Sequence, residues 1–141
     1  MLNCKYLVFI NAANKIVLRD INDITYAIRG AAFKVHTALG PRLLESAYEA
    51  CMEYELLKQG LMVERQKPMP VNYEGVNLEV GYRIDLLVED CVIVELKSIK
   101  QLTDVDTAQI LTYMRLANIS LGLLMNFSVV HMRDGIKRYR L

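Results

Sequence analysis

At 141 residues, 53% hydrophobic and 23% charged, the chain has the size of one domain and the composition of an ordinary globular protein. Lys and Arg number 17 against 16 Asp and Glu, a net charge of +1, which excludes a strongly basic nucleic-acid clamp but leaves room for a local basic patch. Cys4, Cys51 and Cys91 are widely spaced with no C-x-x-C pair, which argues against a disulfide framework or thiolate zinc site and for a reducing cytoplasm.

Residues 1 to about 19 lack a clear period and read as an edge strand or an N-terminal extension. The run Tyr6 to Ile10 is short of the ~20 residues that cross a bilayer and of the roughly 7–15 of a signal-peptide core, so a soluble protein is expected. From Asn22 the pattern turns helical: Ile24, Ala27, Ile28, Ala31, Val35 and Leu39 recur at three- and four-residue steps. Gly40 ends that helix, and Pro41 suits the first turn of a second, which carries Leu44, Ala47, Tyr48, Cys51, Leu56 and Leu57 and stops at Gly60.

The period then becomes two. Met62 to Gln66 reads as a strand, interrupted by Pro68 and Pro70 before Val71 to Tyr73. Glu74-Gly75 signals a turn, followed by a long extended stretch from Val76 to Val88, a tight loop and the strand Val92 to Ser98. Thr103 and Asp106 form a capping-box variant that opens a third helix, from about Asp104 to Ala117. Leu121 to Met125 reads as a buried strand. Val129 to Met132 and Ile136 to Tyr139 flank Asp134-Gly135 and predict a hairpin.

The chemistry lies in Arg83-Ile-Asp-Leu-Leu-Val88 followed by Val92-Ile-Val-Glu-Leu-Lys97. Ile84, Leu86 and Val88 share one face of the first strand, and Val92, Val94 and Leu96 one face of the second. Joining these apolar sets pairs Val88 with Val92, Leu86 with Val94 and Ile84 with Leu96 around a three-residue loop. That register sets Asp85 opposite Glu95 and Arg83 opposite Lys97. Facing carboxylates have Cβ atoms roughly 5 Å apart and repel unless a cation lies between them; their hard oxygens suit magnesium or manganese. Lys97 projects beside Glu95, where an ammonium can orient water or meet charge on a phosphate. The blander alternative, a solvated strand face with a weak ion pair, stands beside this one.

Asp85, then Glu95-x-Lys97, then a helix with Gln109, resembles the PD-(D/E)XK nuclease signature. Gly40-x-x-x-x-Glu45-x-x-Tyr48, with "GLMVERQKPMPVNYEG", "GYRIDLLVEDCVIVELKSI", "AQILTYMRLANISLGLLMNF" and "DGIKR", is similar to the GxxExxY protein family, with two more residues between Gly and Glu than that name has. The resemblance implies a single α/β domain over residues 21–141, a restriction-endonuclease-like mixed sheet flanked by helices. It implies Asp85 and Glu95 as metal ligands and Lys97 as the catalytic lysine. Glu45 corresponds to a further acidic residue, Gln109 and Tyr113 lie at the site from the third helix, and Tyr48 supports it. Ile84 stands where the superfamily name has proline.

The expected activity is magnesium-dependent cleavage of DNA, with RNA as the second candidate substrate, manganese as a substitute metal and the Leu96 carbonyl as a further ligand. A non-catalytic nucleic-acid- or protein-binding module that retains the fold is the alternative. A homodimer is open, and no membrane partner is expected. Arg133, Lys137, Arg138 and Arg140 read as a charged sheet edge or as phosphate contacts. His36 and His131 have no metal-ligand spacing, and no aromatic-rich platform for single strands is visible.

Overall fold

The computed structural model describes residues 7–10 and 16–141, with side chains from Arg19 onward. Strands β1 (Leu7–Ile10) and β2 (Ile16–Arg19) pair antiparallel with each other as a two-stranded ribbon. Helix α1 (Ile21–Leu39) starts at Asp20, whose carboxylate accepts the Asn22 N–H while Asp23 accepts the Asp20 N–H, so two orphan donors of the first turn are satisfied. Ile24, Ile28, Ala31, Ala32 and Val35 bury its apolar stripe.

Helix α2 (Glu45–Lys58) begins later than Pro41. Gly40 and Arg42, both at φ 70, turn the backbone out of helical geometry, and residues 41–44 form a loop between the helices. Strand β3 (Val63–Pro68) runs on through Gln66 to Pro68. It lies at the edge of the sheet and ends at the proline, so the missing N–H breaks no interior ladder.

The stretch expected to extend from Val76 to Val88 is divided. Strands β4 (Val71–Tyr73) and β5 (Val76–Leu78) form a separate hairpin through left-handed Glu74 and Gly75. Gly81, at φ 83, redirects the chain into β6 (Arg83–Val88). Then come β7 (Val92–Lys97), α3 (Asp104–Ala117), β8 (Leu121–Asn126) and β9 (Ile136–Arg140).

The main sheet has the order β3-β6-β7-β8-β9. β7 and β8 are parallel, joined by the α3 crossover, and the other neighbours are antiparallel. Residues from α1 and α2 pack with Leu86, Val88, Val92, Val94 and Leu123 in one core. Residues from α3 pack with Leu87, Ile93 and Leu124 in the other. This is the expected small α/β domain with a mixed sheet between helices.

The expected C-terminal hairpin is absent. Met132–Gly135 is a 3-10 turn, and β9 pairs with β8 instead. Gly135 packs so tightly on the Asn126 carbonyl that any Cβ would collide with it, and Met132 is buried against the first core. Those contacts hold residues 129–131 as a loop leading into the turn, not a strand.

Candidate active site

Strands β6 and β7 meet in the expected register, Val88 with Val92 and Leu86 with Val94, around the three-residue loop. The ladder then stops. Ile84–Leu96 and Arg83–Lys97 do not form backbone pairs; Arg83 instead donates to the Gln66 carbonyl. Ile84 also leaves the face of Leu86 and Val88 and packs in the second core with Leu87 and Ile93. The strand turns over at Asp85, opposite Gln66 of β3, which has left-handed φ 52.

Side chains take over where the backbone ladder ends. The Asp85 N–H donates to Glu95 Oε1 at 3.3 Å, and the Leu96 N–H donates to Asp85 Oδ2 at 2.9 Å. The two carboxyls are thus interlocked across the opened strands. Glu95 is 4% exposed. Burial, and next the neighbouring Asp85, push its pKa up to about 9. Burial also raises Asp85, reinforced by Glu49 and Glu45 and opposed by the Leu96 N–H. At neutral pH the pair of carboxyls therefore retains a proton.

Helix α2 adds carboxylates from the other side. Glu45, its first residue, accepts the Ser98 N–H at 3.3 Å. Glu49, one turn on and buried, accepts from Arg65 Nε at 2.7 Å and from Gln66 Nε2 at 2.8 Å. Gln66 Nε2 also reaches Asp85 Oδ1 at 3.3 Å, so a single amide links Glu49 to Asp85. Glu49 and Gln66 are the residues that sequence reasoning missed. The i, i+4 spacing of Glu45 and Glu49 was the available signal; nothing in the sequence marks Gln66.

Tyr48 lies away from the carboxylates. Its hydroxyl accepts the Leu43 N–H and donates to the Gly40 carbonyl, and its ring stacks on Phe127 with centroids 4.4 Å apart. It ties down the loop that delivers Glu45. A groove of about 670 Å³ lined by Arg42, Leu44, Ser98, Lys100 and Ser128 opens beside that loop.

Helix α3 holds the lysine. Lys97 Nζ donates to Gln109 Oε1 at 3.0 Å and lies 3.7 Å from Asp106 Oδ1; Gln109 Nε2 donates to the Tyr113 hydroxyl at 3.3 Å. Asp106 is fixed by accepting the Thr103 N–H at 2.8 Å, which holds its carboxyl below the usual range. Gly122 on β8 gives α3 this close approach: a Cβ there would stand 2.6 Å from Met114 Sδ.

The basic residues near the C-terminus do not gather at this site. Lys137 is in register with Leu124, and Leu124 with Glu95, so two strand spacings, roughly 10 Å, separate Lys137 from Glu95. Arg138 reaches Asn22 of α1 at 3.3 Å, and Arg133 is exposed beside Asp134. Arg140 is exposed on β9, paired with Leu121.

Among the described residues, no three His, Cys, Asp or Glu side chains converge as a ready-made cation site. The donor chemistry nevertheless fits a hard divalent cation, because a buried acid pair that holds a proton against bulk water is short of positive charge. Cys51 and Cys91 are not in disulfides. No helix among the described residues is long and apolar enough to cross a membrane.

A family model described as the PD-(D/E)XK nuclease superfamily matches residues 22–139. No curated protein and no solved structure matches the chain.

Proposed function

The chain belongs to the PD-(D/E)XK nuclease superfamily, and from that premise we propose that it is a magnesium-dependent nuclease cleaving phosphodiester bonds of DNA, with RNA as the second candidate substrate. The observation that carries this reading is the Asp85–Glu95 pair, interlocked where the β6–β7 ladder opens, with Lys97 on the same strand.

Asp85 and Glu95 would hold the ion, with Glu45 and the Leu96 carbonyl completing the set; in an extended strand that carbonyl points to the same edge as the N–H bonded to Asp85. Manganese would substitute. When bound, the metal would polarise the phosphodiester and acidify a bound water. Lys97, held by Gln109 and Asp106, would present its ammonium to an attacking water or to a phosphate oxygen. Gln109 keeps the lysine in place, and Tyr113 keeps Gln109.

The reading includes assignment to the GxxExxY family, whose Glu–Tyr spacing Glu45 and Tyr48 keep while Gly40 stands two residues further off. The mechanical sense of that segment is a loop closed by Tyr48 that sets Glu45 at the head of α2. On the same reading the catalytic domain spans residues 21–141, with 1–20 as an extension, and the protein is cytoplasmic. A homodimer would let two sites meet two strands, and sedimentation tests it. Arg133, Lys137, Arg138 and Arg140 would serve phosphates beyond the reacting centre.

The rival reading, a non-catalytic nucleic-acid- or protein-binding module, draws on the absence of three converged ligands among the described residues. Calorimetric titration of magnesium and manganese into wild type and Glu95→Ala, at low ionic strength, separates the two. Saturable binding and cleavage of DNA or RNA, both lost in the variant, support the enzyme. Unchanged cleavage in Glu95→Ala refutes the assignment.

A further inference from the structure

The β4–β5 arm is closed at its base by the Met69 N–H donating to the Tyr82 carbonyl at 2.8 Å. Tyr82 is thereby held at the mouth of β6, close in the chain to Asp85, with 48% of its surface exposed. Its ring meets that of Tyr113 edge-on, with centroids 6.2 Å apart and planes at 62°. Tyr113 accepts from Gln109, and Gln109 accepts from Lys97. An exposed aromatic face is therefore joined to the candidate catalytic lysine by an unbroken series of side-chain contacts.

Beside the ring lies a groove of about 460 Å³ lined by Pro68, Pro70, Glu79, Val80, Tyr82 and Arg83. It combines a flat apolar wall, a guanidinium and one carboxylate. An unpaired nucleobase fits that set: its face stacks on the tyrosine, its phosphate meets Arg83, and an exocyclic amine donates to Glu79. A base inside an intact duplex has both faces covered by its neighbours and cannot use the wall.

We propose that Tyr82, backed by Tyr113, is a stacking platform for an unpaired nucleotide beside the reacting position, so that the site takes single-stranded or locally melted nucleic acid in preference to intact duplex. The link to the reacting position rests on the nuclease reading; the platform itself needs no cleavage.

The test uses the whole protein in EDTA, titrated with a short single-stranded DNA carrying 2-aminopurine and with the same sequence as a duplex. Wild type should bind the single strand more tightly and quench the fluorophore by stacking. Tyr82→Leu should weaken single-strand binding about 5- to 150-fold, the range for losing one stacked base, while Tyr82→Phe retains it. With magnesium, Tyr82→Leu should raise KM on single strands and leave kcat nearly unchanged. Duplex preference, absence of quenching in wild type, or equal affinity in Tyr82→Leu with an unchanged melt overturns the platform. So does loss of self-association in Tyr82→Leu with unaltered oligonucleotide affinity, which makes the arm a contact between copies. Cleavage without Tyr82 dependence removes the platform alone; Tyr82-dependent binding without cleavage of any form removes the nuclease reading alone.

Discussion

Glu95→Gln should make the metal-free protein more stable while abolishing its activity. In the folded chain Glu95 is held near 9, against an ordinary value of 4.5 once the chain unfolds. Between those values the folded state binds a proton that the unfolded state releases, so stability is full below about pH 4.5 and falls as pH rises towards 9. At about 1.4 kcal/mol per pH unit, the interval from 4.5 to 7 costs about 3 kcal/mol, which is a ceiling. Glutamine keeps the volume, accepts the Asp85 N–H through its oxygen and cannot ionise. The variant should therefore be up to about 3 kcal/mol more stable at pH 7, a rise of roughly 5–10 °C in Tm for a chain of this length. Urea and thermal melts of both proteins in EDTA, from pH 5 to 9, measure it. The wild-type curve should slope downward where the variant is flat, and saturating magnesium should stabilise only the wild type. A variant that is less stable at pH 7, or that keeps the wild-type slope, refutes the account of the buried pair.

Magnesium affinity should rise with pH, by up to tenfold per unit between about 5 and 9, since the ion displaces the proton on the pair; calorimetry in buffers of differing ionisation enthalpy would count that proton. Lys97→Met should lower kcat at least ~100-fold while magnesium still binds, because the ammonium acts on the reacting groups and not on the ligands. Gly122→Ala should cost about 1–3 kcal/mol, read by urea denaturation, as the new methyl forces Met114 and Ile110 of α3 aside. Tyr48→Phe should cost about 1–3 kcal/mol, because the Leu43 N–H and the Gly40 carbonyl lose their partner while the stack on Phe127 survives.

The elements that were legible in the sequence are those whose signals are local. The stripe of α1, the Thr103–Asp106 box of α3 and the alternation of Leu86, Val88, Val92 and Val94 all act within a few residues, and each element formed as expected. Where the expectation failed, a distant group had intervened. The start of α2 depends on the left-handed Gly40–Arg42 turn and the Tyr48 hydroxyl, and the C-terminal loop depends on Gly135 meeting the Asn126 carbonyl. The register brought Asp85 to Glu95, but the opened ladder and the departure of Ile84 did not follow from alternation. Glu49 and Gln66 were illegible as a pair because their bond joins a helix to a strand across 17 positions.

That contrast has a kinetic counterpart. Asp85 and Glu95 are 10 positions apart in the chain, and Lys97 and Gln109 are 12 apart, whereas Glu45 meets Ser98 across 53. Closing the longer loop costs about 1.5 kcal/mol more in chain entropy than closing the shortest. The acid pair and its lysine should consolidate with the β6–β7 hairpin early in folding, and the Glu45 end of α2 should dock afterwards. In the native state the same order should run in reverse, with the Glu45 contact opening before the hairpin does. A substrate that must enter from the α2 side would then find the site admitting it through partial undocking, with the paired carboxylates already in position.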